Sequence, residues 1–236
     1  MRTARERVIV ALDVPDRAAL ASLLDRLDGR PQFYKVGLEL FIGEGERAIE
    51  LVRARGGRVF LDLKLHDIPE TVARAVASAA RVEAELLTLH TSGGYEMLAR
   101  AAEAAKGRVK LLGVTVLTSL AEDDLRAEGV EQTIPEMVRA RARIAARAGI
   151  AGLVCSPHEI EAARGAAPGL LTVIPGIRPS AGPGGRKDDQ KRVAAAGQAI
   201  ASGADYLVVG RPVRDAADPA AAFEGLVAEV AAAAGA

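Results

Sequence analysis

Eight short β-rich runs alternate with helical stretches along this chain, and that alternation constrains the fold more than any other feature. The runs are Val8–Asp13, Phe33–Gly37, Val59–Lys64, Leu86–His90, Lys110–Leu117, Gly152–Cys155, Leu171–Ile174 and Tyr206–Gly210. Helical character is read at Ala18–Leu27, Glu44–Arg55, Ile68–Ala80, Tyr95–Ala105, Ile134–Ala148, His158–Arg164, Gln190–Ala201 and Phe223–Ala233. A strand followed by a helix returns the chain to the same end of a sheet, so the next strand lies parallel to the last. Eight repeats in 236 residues fit a closed (β/α)8 barrel, a fold of typically about 250 residues. A doubly wound open sheet is the structural alternative. No linker or composition break interrupts residues 1–236, so one barrel domain is expected.

The stretch Phe60–Val72, FLDLKLHDIPETV, sets Asp62, Lys64 and Asp67 within six residues of one another. Side chains alternate along a strand. Leu61, Leu63 and Leu65 therefore share one face, and Asp62 and Lys64 the other. Both faces of a parallel sheet are normally covered, so a solvated charged face is a poor explanation. In a barrel the leucines pack against the outer helices, and Asp62 and Lys64 point inward near the C-terminal mouth, where barrel enzymes keep their chemistry.

Other runs end in the same manner. Asp13 closes the first, Lys35 lies in the second, and Thr118 and Ser119 follow the fifth. Arg178 follows the seventh; Gly210 and Arg211 follow the eighth. Barrels commonly hold a phosphate after strands seven and eight. A phosphorylated substrate is expected, held by Arg211, the main-chain N–H groups of Gly210 and Arg211, and the start of a short helix. Gly182–Gly185, GPGG, reads as a mobile loop before a helix. It lacks the Gly-Lys-Ser/Thr of a nucleotide-binding P-loop, and no dinucleotide fingerprint follows the first strand.

Composition narrows the function. Lysine plus arginine and aspartate plus glutamate number 31 each, for a formal net charge of zero. Nucleic acid is thus not expected as the main partner, since phosphate-backbone binding favours a basic excess. No apolar run approaches the roughly 20 residues of a membrane span, and the N-terminal apolar run stops at Asp13, too short for a signal segment. A single cysteine, Cys155, excludes an intramolecular disulfide and suits the cytoplasm. His66, His90 and His158 show no metal-ligand spacing; His66, inside the charged motif, is read as structural. Lysine occurs at only six positions in an arginine-rich chain, two of them at ends of apolar runs. That choice matters, because arginine does not give up its proton.

The segments LDVP, YKVGLELF, DLKLHDIPETV, VTVLTS, PGIRP and VVGRPV, in this order between Val8 and Val213, resemble the orotidine 5'-phosphate decarboxylase family. The resemblance implies a (β/α)8 homodimer that converts orotidylate to uridylate and carbon dioxide with no metal or organic cofactor. It implies that Lys64 is the general acid that protonates C6 and that Asp62 lies beside the departing carboxylate. Lys35 and Asp67 complete an alternating charge network, with Asp67, Ile68 and Thr71 contacting substrate and Asp67 and Thr71 reaching the partner's site. Asp13 resembles the ribose-binding acid and Thr118 a pyrimidine-side contact, with Ser119 as a substitute. Arg178 and Gln190 resemble phosphate- and base-facing residues, and Gly210 and Arg211 the fixed phosphate site. Two rivals are weighed. A magnesium-dependent keto-sugar-phosphate enzyme of the same superfamily would need an acid where Lys35 stands. A noncatalytic phosphometabolite-binding barrel would bear the desolvation cost of Lys64 between two acids for no return.

Overall fold

The computed structural model describes residues 2–178 and 192–235. Eight parallel strands close into a barrel: β1 Val8–Ala11, β2 Phe33–Val36, β3 Arg58–Leu65, β4 Leu86–His90, β5 Lys110–Val114, β6 Gly152–Val154, β7 Leu171–Ile174 and β8 Tyr206–Val209. Around the barrel each strand pairs with its sequence neighbours, and β1 pairs with β8 to close it. The open-sheet alternative is thereby excluded. Two-residue strands Ile177–Arg178 and Ala194–Ala195 pair beside the mouth.

Period-two alternation builds two cores. Ile9, Ala11, Phe33, Phe60, Leu86, Leu112, Val173, Tyr206 and Val208 fill the barrel interior. Their strand neighbours, such as Val10, Tyr34, Leu61, Leu87 and Leu207, face the helices. Each fully buried ring or branched side chain contributes about 1.5–3 kcal/mol. The helices meet this surface with one apolar stripe. In Pro69–Arg81 the buried residues are Val72, Ala73, Val76, Ala79 and Ala80, the spacing of a single helical face. Pro69 suits the first turn, where no N–H partner is needed. Asp16 caps Arg17–Arg26 by accepting from the Ala19 amide at 2.8 Å.

The expected helix Glu44–Arg55 is found at Glu46–Ala54, and a further helix not expected from the sequence, Leu38–Glu44, precedes it. Gly45 separates them with φ 58°, a left-handed conformation natural to glycine. The final helix starts at Pro219, before Phe223, on an Asp218 cap. The helix expected from Gln190 begins, among the described residues, at Ala196. Several strands also end earlier than their apolar runs, so Asp13, Gly37, Thr118 and Gly210 lie just beyond strand ends, in loops above the barrel.

The N-terminal end of the barrel is plugged. Phe33 and Tyr206 meet edge to face, with ring centroids 5.8 Å apart. Arg58 stacks 4.2 Å over the Phe33 ring and grips both oxygens of Glu85, at 2.6 and 2.7 Å. Arg2 lies 4.6 Å over Tyr206 and donates to its hydroxyl at 2.8 Å.

Candidate active site

The C-terminal end is open instead. A cavity of about 440 Å³ enters the barrel there. Its wall carries Asp13 after β1, Lys35 on β2, Asp62 and Lys64 on β3, Thr118 after β5, Arg178 after β7, and Gly210, Arg211 and Arg214 after β8. The two chemistries are segregated. Acids and lysines occupy the β1–β3 side; three arginines occupy the β7–β8 side. Ala11, Phe60, Val114, Val154 and Val208 form an apolar floor.

On the β1–β3 side the charges form a chain. The Lys35 ammonium lies 2.8 Å from Asp13 Oδ1 and 3.5 Å from Asp62 Oδ2. Lys64 Nζ donates to both oxygens of Asp62 at 2.9 Å. Thr88 on β4 donates its hydroxyl to Asp62 Oδ1, also at 2.9 Å. Burial alone would push the Asp62 carboxyl up. The charges of Lys35 and Lys64, with hydrogen bonds from Lys64 and Thr88, outweigh it and hold Asp62 below the usual carboxylate range. Burial likewise disfavours the Lys35 ammonium, yet Asp62 and then Asp13 raise it above an ordinary lysine. Both groups are thus charged at neutral pH.

Local backbone explains how β3 presents two charges to one cavity. The β3–β4 ladder is regular to Leu61↔Leu87 and resumes at Leu65↔Leu89, four steps along β3 against two along β4. Lys64 sits in this bulge with φ 50°. Such bulges re-aim side chains beside active sites, and the left-handed backbone is uncommon for a residue with a Cβ. Leu63 and Leu65 still pack on the outer core, as simple alternation predicts.

Gly37 packs closely against the same network. A Cβ there would lie 2.9 Å from both Asp13 Oδ1 and Lys35 Nζ, inside the contact distance of either. Arg214 ties the two sides of the mouth together. It donates to the Asp13 carbonyl at 2.7 Å while pairing with Asp215 at 2.6 Å.

Most sequence-predicted site residues converge here: Asp13, Lys35, Asp62, Lys64, Thr118, Arg178, Gly210 and Arg211 line one cavity. Ser119 is exposed and off the wall, so Thr118 holds the position facing the cavity. Asp67, Ile68 and Thr71 do not join this wall within the chain. All three are exposed on the rim, Ile68 at 66%, and the Asp67 carboxylate accepts from the Ile68 amide at 2.6 Å. Gln190 and the GPGG loop lie outside the described residues. The His66 and His90 rings lie 5.3 Å apart beside the site. Burial first, then His66 and Lys64, lowers the His90 imidazole, which leaves it neutral at pH 7. Cys155 is a buried thiol raised by desolvation and by Glu159. Thr88, Gly37 and Arg214 were not singled out from sequence. A hydroxyl in LLTLH, a glycine after a strand and an arginine in a helix each read as ordinary.

A family model described as the orotidine 5'-phosphate decarboxylase / HUMPS family matches residues 6–226. The orotidine 5'-phosphate decarboxylase of Geobacter metallireducens is 46% identical over 234 residues, spanning 96% of this chain and 97% of that protein. The protein of the same name from Pseudomonas aeruginosa is 44% identical, spanning 98% of this chain and 100% of its own length. The crystal structure of orotidine 5'-phosphate decarboxylase from Lactobacillus acidophilus superposes with a TM-score of 0.83 at 34% identity, over 95% of this chain and 99% of that one.

Proposed function

The chain belongs to the orotidine 5'-phosphate decarboxylase / HUMPS family, and from that premise we propose that it converts orotidine 5'-monophosphate to uridine 5'-monophosphate and carbon dioxide, the last step of de novo pyrimidine nucleotide synthesis. The observation that carries the reading is the Asp13–Lys35–Asp62–Lys64 chain of charges facing three arginines across one cavity.

The chemistry asks for these residue types. The C6–carboxylate bond breaks, and its electron pair stays in the ring plane, where the ring carbonyls delocalise it poorly. Preorganised charge must stabilise that pair. The Lys64 ammonium does so and transfers a proton from Nζ to C6; solvent later restores the proton. An ammonium has three N–H donors. Two are directed at Asp62, which leaves the third for the reacting carbon. Asp62 stands beside the departing carboxylate and keeps Lys64 charged. Lys35 and Asp13 fix Asp62 and the ribose. Thr118 contacts the base. Arg178, Arg211 and the Gly210 and Arg211 amides take the phosphate, with Gln190 completing the loop side. Phosphate binding, remote from C6, contributes to assembling the charged site.

The keto-sugar-phosphate reading is disfavoured by the same geometry. The site between the Asp13 and Asp62 carboxylates, where a divalent ion would bind, is occupied by the Lys35 ammonium. The proposed reaction uses no cofactor. A spectrophotometric assay with orotidylate, with and without EDTA, tests all readings. Chelator-insensitive uridylate formation is expected. Loss restored by magnesium points to the sugar-phosphate branch, and binding without turnover to a noncatalytic barrel.

The working unit in this reading is a homodimer of single-domain chains in the cytoplasm, with Asp67 and Thr71 serving the partner's site. Their exposure on the rim supports it. Mixing Lys64→Ala with Asp67→Ala under subunit exchange tests it. Half the dimers are then mixed, and each has one intact site, so roughly a quarter of wild-type activity per site is expected. Confirmed exchange without recovery would assign Asp67 to its own subunit.

A further inference from the structure

We infer that Thr88, an uncharged residue off the cavity wall, is a positioning residue for proton transfer: its hydroxyl fixes the Asp62 carboxylate and the Lys64 backbone relative to each other. The inference rests on the reading of Lys64 as the proton donor.

Thr88 lies on β4 directly opposite the irregular stretch of β3, between Leu87 and Leu89, the two positions where the ladder is in register. The bulge costs β3 its normal partners there. The Lys64 amide, which a regular ladder would direct at a β4 carbonyl, instead donates to Thr88 Oγ1 at 2.9 Å. The same oxygen donates its hydrogen to Asp62 Oδ1 at 2.9 Å. One hydroxyl therefore accepts from the backbone of the acid and donates to the carboxylate that holds the acid's ammonium. This closes a ring: Thr88 Oγ1, Asp62 carboxylate, Lys64 Nζ, and the Lys64 side chain back to its own amide.

The ring explains how a strained conformation persists. Lys64 at φ 50° is costly for a residue with a Cβ. It is held only if the surroundings over-determine it, and Thr88 bonds the Lys64 amide directly and its ammonium through Asp62. The Thr88 side chain is fully buried, so water cannot replace it. Its β-branched χ1 is stiff, which fixes the direction of the hydroxyl. Without it, Asp62 keeps its charge partners but loses its orientation, and the Lys64 amide loses its partner. A proton donor displaced by about 1 Å can cost on the order of a hundredfold in rate.

Thr88→Val is the test, because valine preserves shape and removes only the hydroxyl. We measure kcat and KM for orotidylate, the pH profile of kcat, and the Asp62 carboxyl titration by 13C NMR. The expected loss in kcat is roughly 10- to 100-fold, with KM within about threefold, since the phosphate side is untouched. The acid limb moves to higher pH, because a hydrogen bond that favours the carboxylate is gone. Thr88→Ser is expected to recover most of the rate and the wild-type limb. Thr88→Cys, a poor hydrogen-bonder of similar size, behaves like the valine variant and substitutes for it if that protein fails to fold. A valine or cysteine variant with near-native kcat, even one with lowered melting temperature, overturns the inference, as does a serine variant no better than valine. A wild-type protein inactive on orotidylate would refute the proposed function instead. The Asp62 titration, shifted by valine and restored by serine, still reads the Thr88 contact in that case.

Discussion

Both ends of the barrel carry ion pairs, one plugged and one open, yet the buried pairs are built from different cations. At the N-terminal end Arg58 binds Glu85 with two parallel hydrogen bonds and stacks on Phe33, and Arg164 holds Asp205 at 3.0 Å. At the mouth the cations paired with the Asp13 and Asp62 carboxylates are lysines. The mouth pair is also the more buried. Lys35 and Asp62 side chains are each 12% exposed, against 34% and 30% for Arg58 and Glu85. Burial raises the desolvation cost, so stability would favour the tighter bidentate arginine at the mouth. The molecule does the reverse: its inner pair is 3.5 Å apart and joined by single-point ammonium groups. An arginine satisfies a carboxylate and keeps its proton. A lysine keeps donors for a third party and can give one away. The plug is built to close the barrel, and the mouth is built for charge to be used.

Lys64→Arg presses hardest on this contrast. It keeps the positive charge and makes the mouth like the plug. Loss of a general acid costs about 10²–10⁴ in rate, and misplaced electrostatic stabilisation about 10²–10³ more. We expect turnover to fall by at least about a thousandfold, with the fold intact by circular dichroism. Lys64→Ala should lose at least as much. Near-native turnover in the arginine variant would show that charge alone suffices and that the choice of lysine has another cause.

Gly37→Ala tests the spacing of the mouth rather than its residue types. The added methyl would sit 2.9 Å from both Asp13 Oδ1 and Lys35 Nζ. One of them must move, and both act on Asp62 or its neighbours. A displacement of about 1 Å in such a network costs on the order of a hundredfold, so kcat/KM should fall roughly 10- to 100-fold. The backbone there is extended, with φ −95°, so alanine brings no conformational strain of its own. Unchanged kinetics would mean that the Asp13–Lys35 pair is not part of the working geometry.

The same contrast explains what could be read from the sequence. The barrel was legible because eight apolar runs alternate with helical stripes, and hydrophobic period is a property of the chain alone. Asp62 and Lys64 were legible because charge inside an apolar parallel strand has few harmless explanations. The plug escaped notice. Arg58 and Glu85 stand at or just before strand starts, where charged loop residues are common, and only barrel closure brings Asp205 beside Arg164 and Thr172. Thr88 escaped because a threonine fits any strand; its meaning depends on the β3–β4 register, which sequence period does not encode. Helix Leu38–Glu44 escaped because it is only seven residues long and directly follows a strand, and its end depends on the positive-φ backbone of Gly45.

Glu85→Gln examines the other end and has the smallest expected effect. It removes the carboxylate that Arg58 grips while preserving shape. A partly exposed charge pair of good geometry contributes about 1 kcal/mol, which in a chain of this size is about 2–4 °C in melting temperature. Turnover on orotidylate should stay within about twofold, since the plug lies across the barrel from the site; the bound is set by surface changes being nearly silent. The pH dependence carries the sharper test. The Arg58 hydrogen bonds and charge, with Lys110, hold the Glu85 carboxyl below its ordinary value of 4.5. A carboxyl depressed in the folded state binds a proton more readily when unfolded. Its stabilisation is therefore fully present above the unfolded value and disappears as pH falls through the folded one. The difference in melting temperature between wild type and Glu85→Gln should be largest near pH 7 and shrink toward zero in acid. The acid limb of turnover, which in the proposed mechanism reports Asp62 at the mouth, should coincide in the two proteins. If that limb moved with Glu85→Gln, the two ends would be electrostatically coupled through the barrel interior, and the division of labour between plug and mouth would fail.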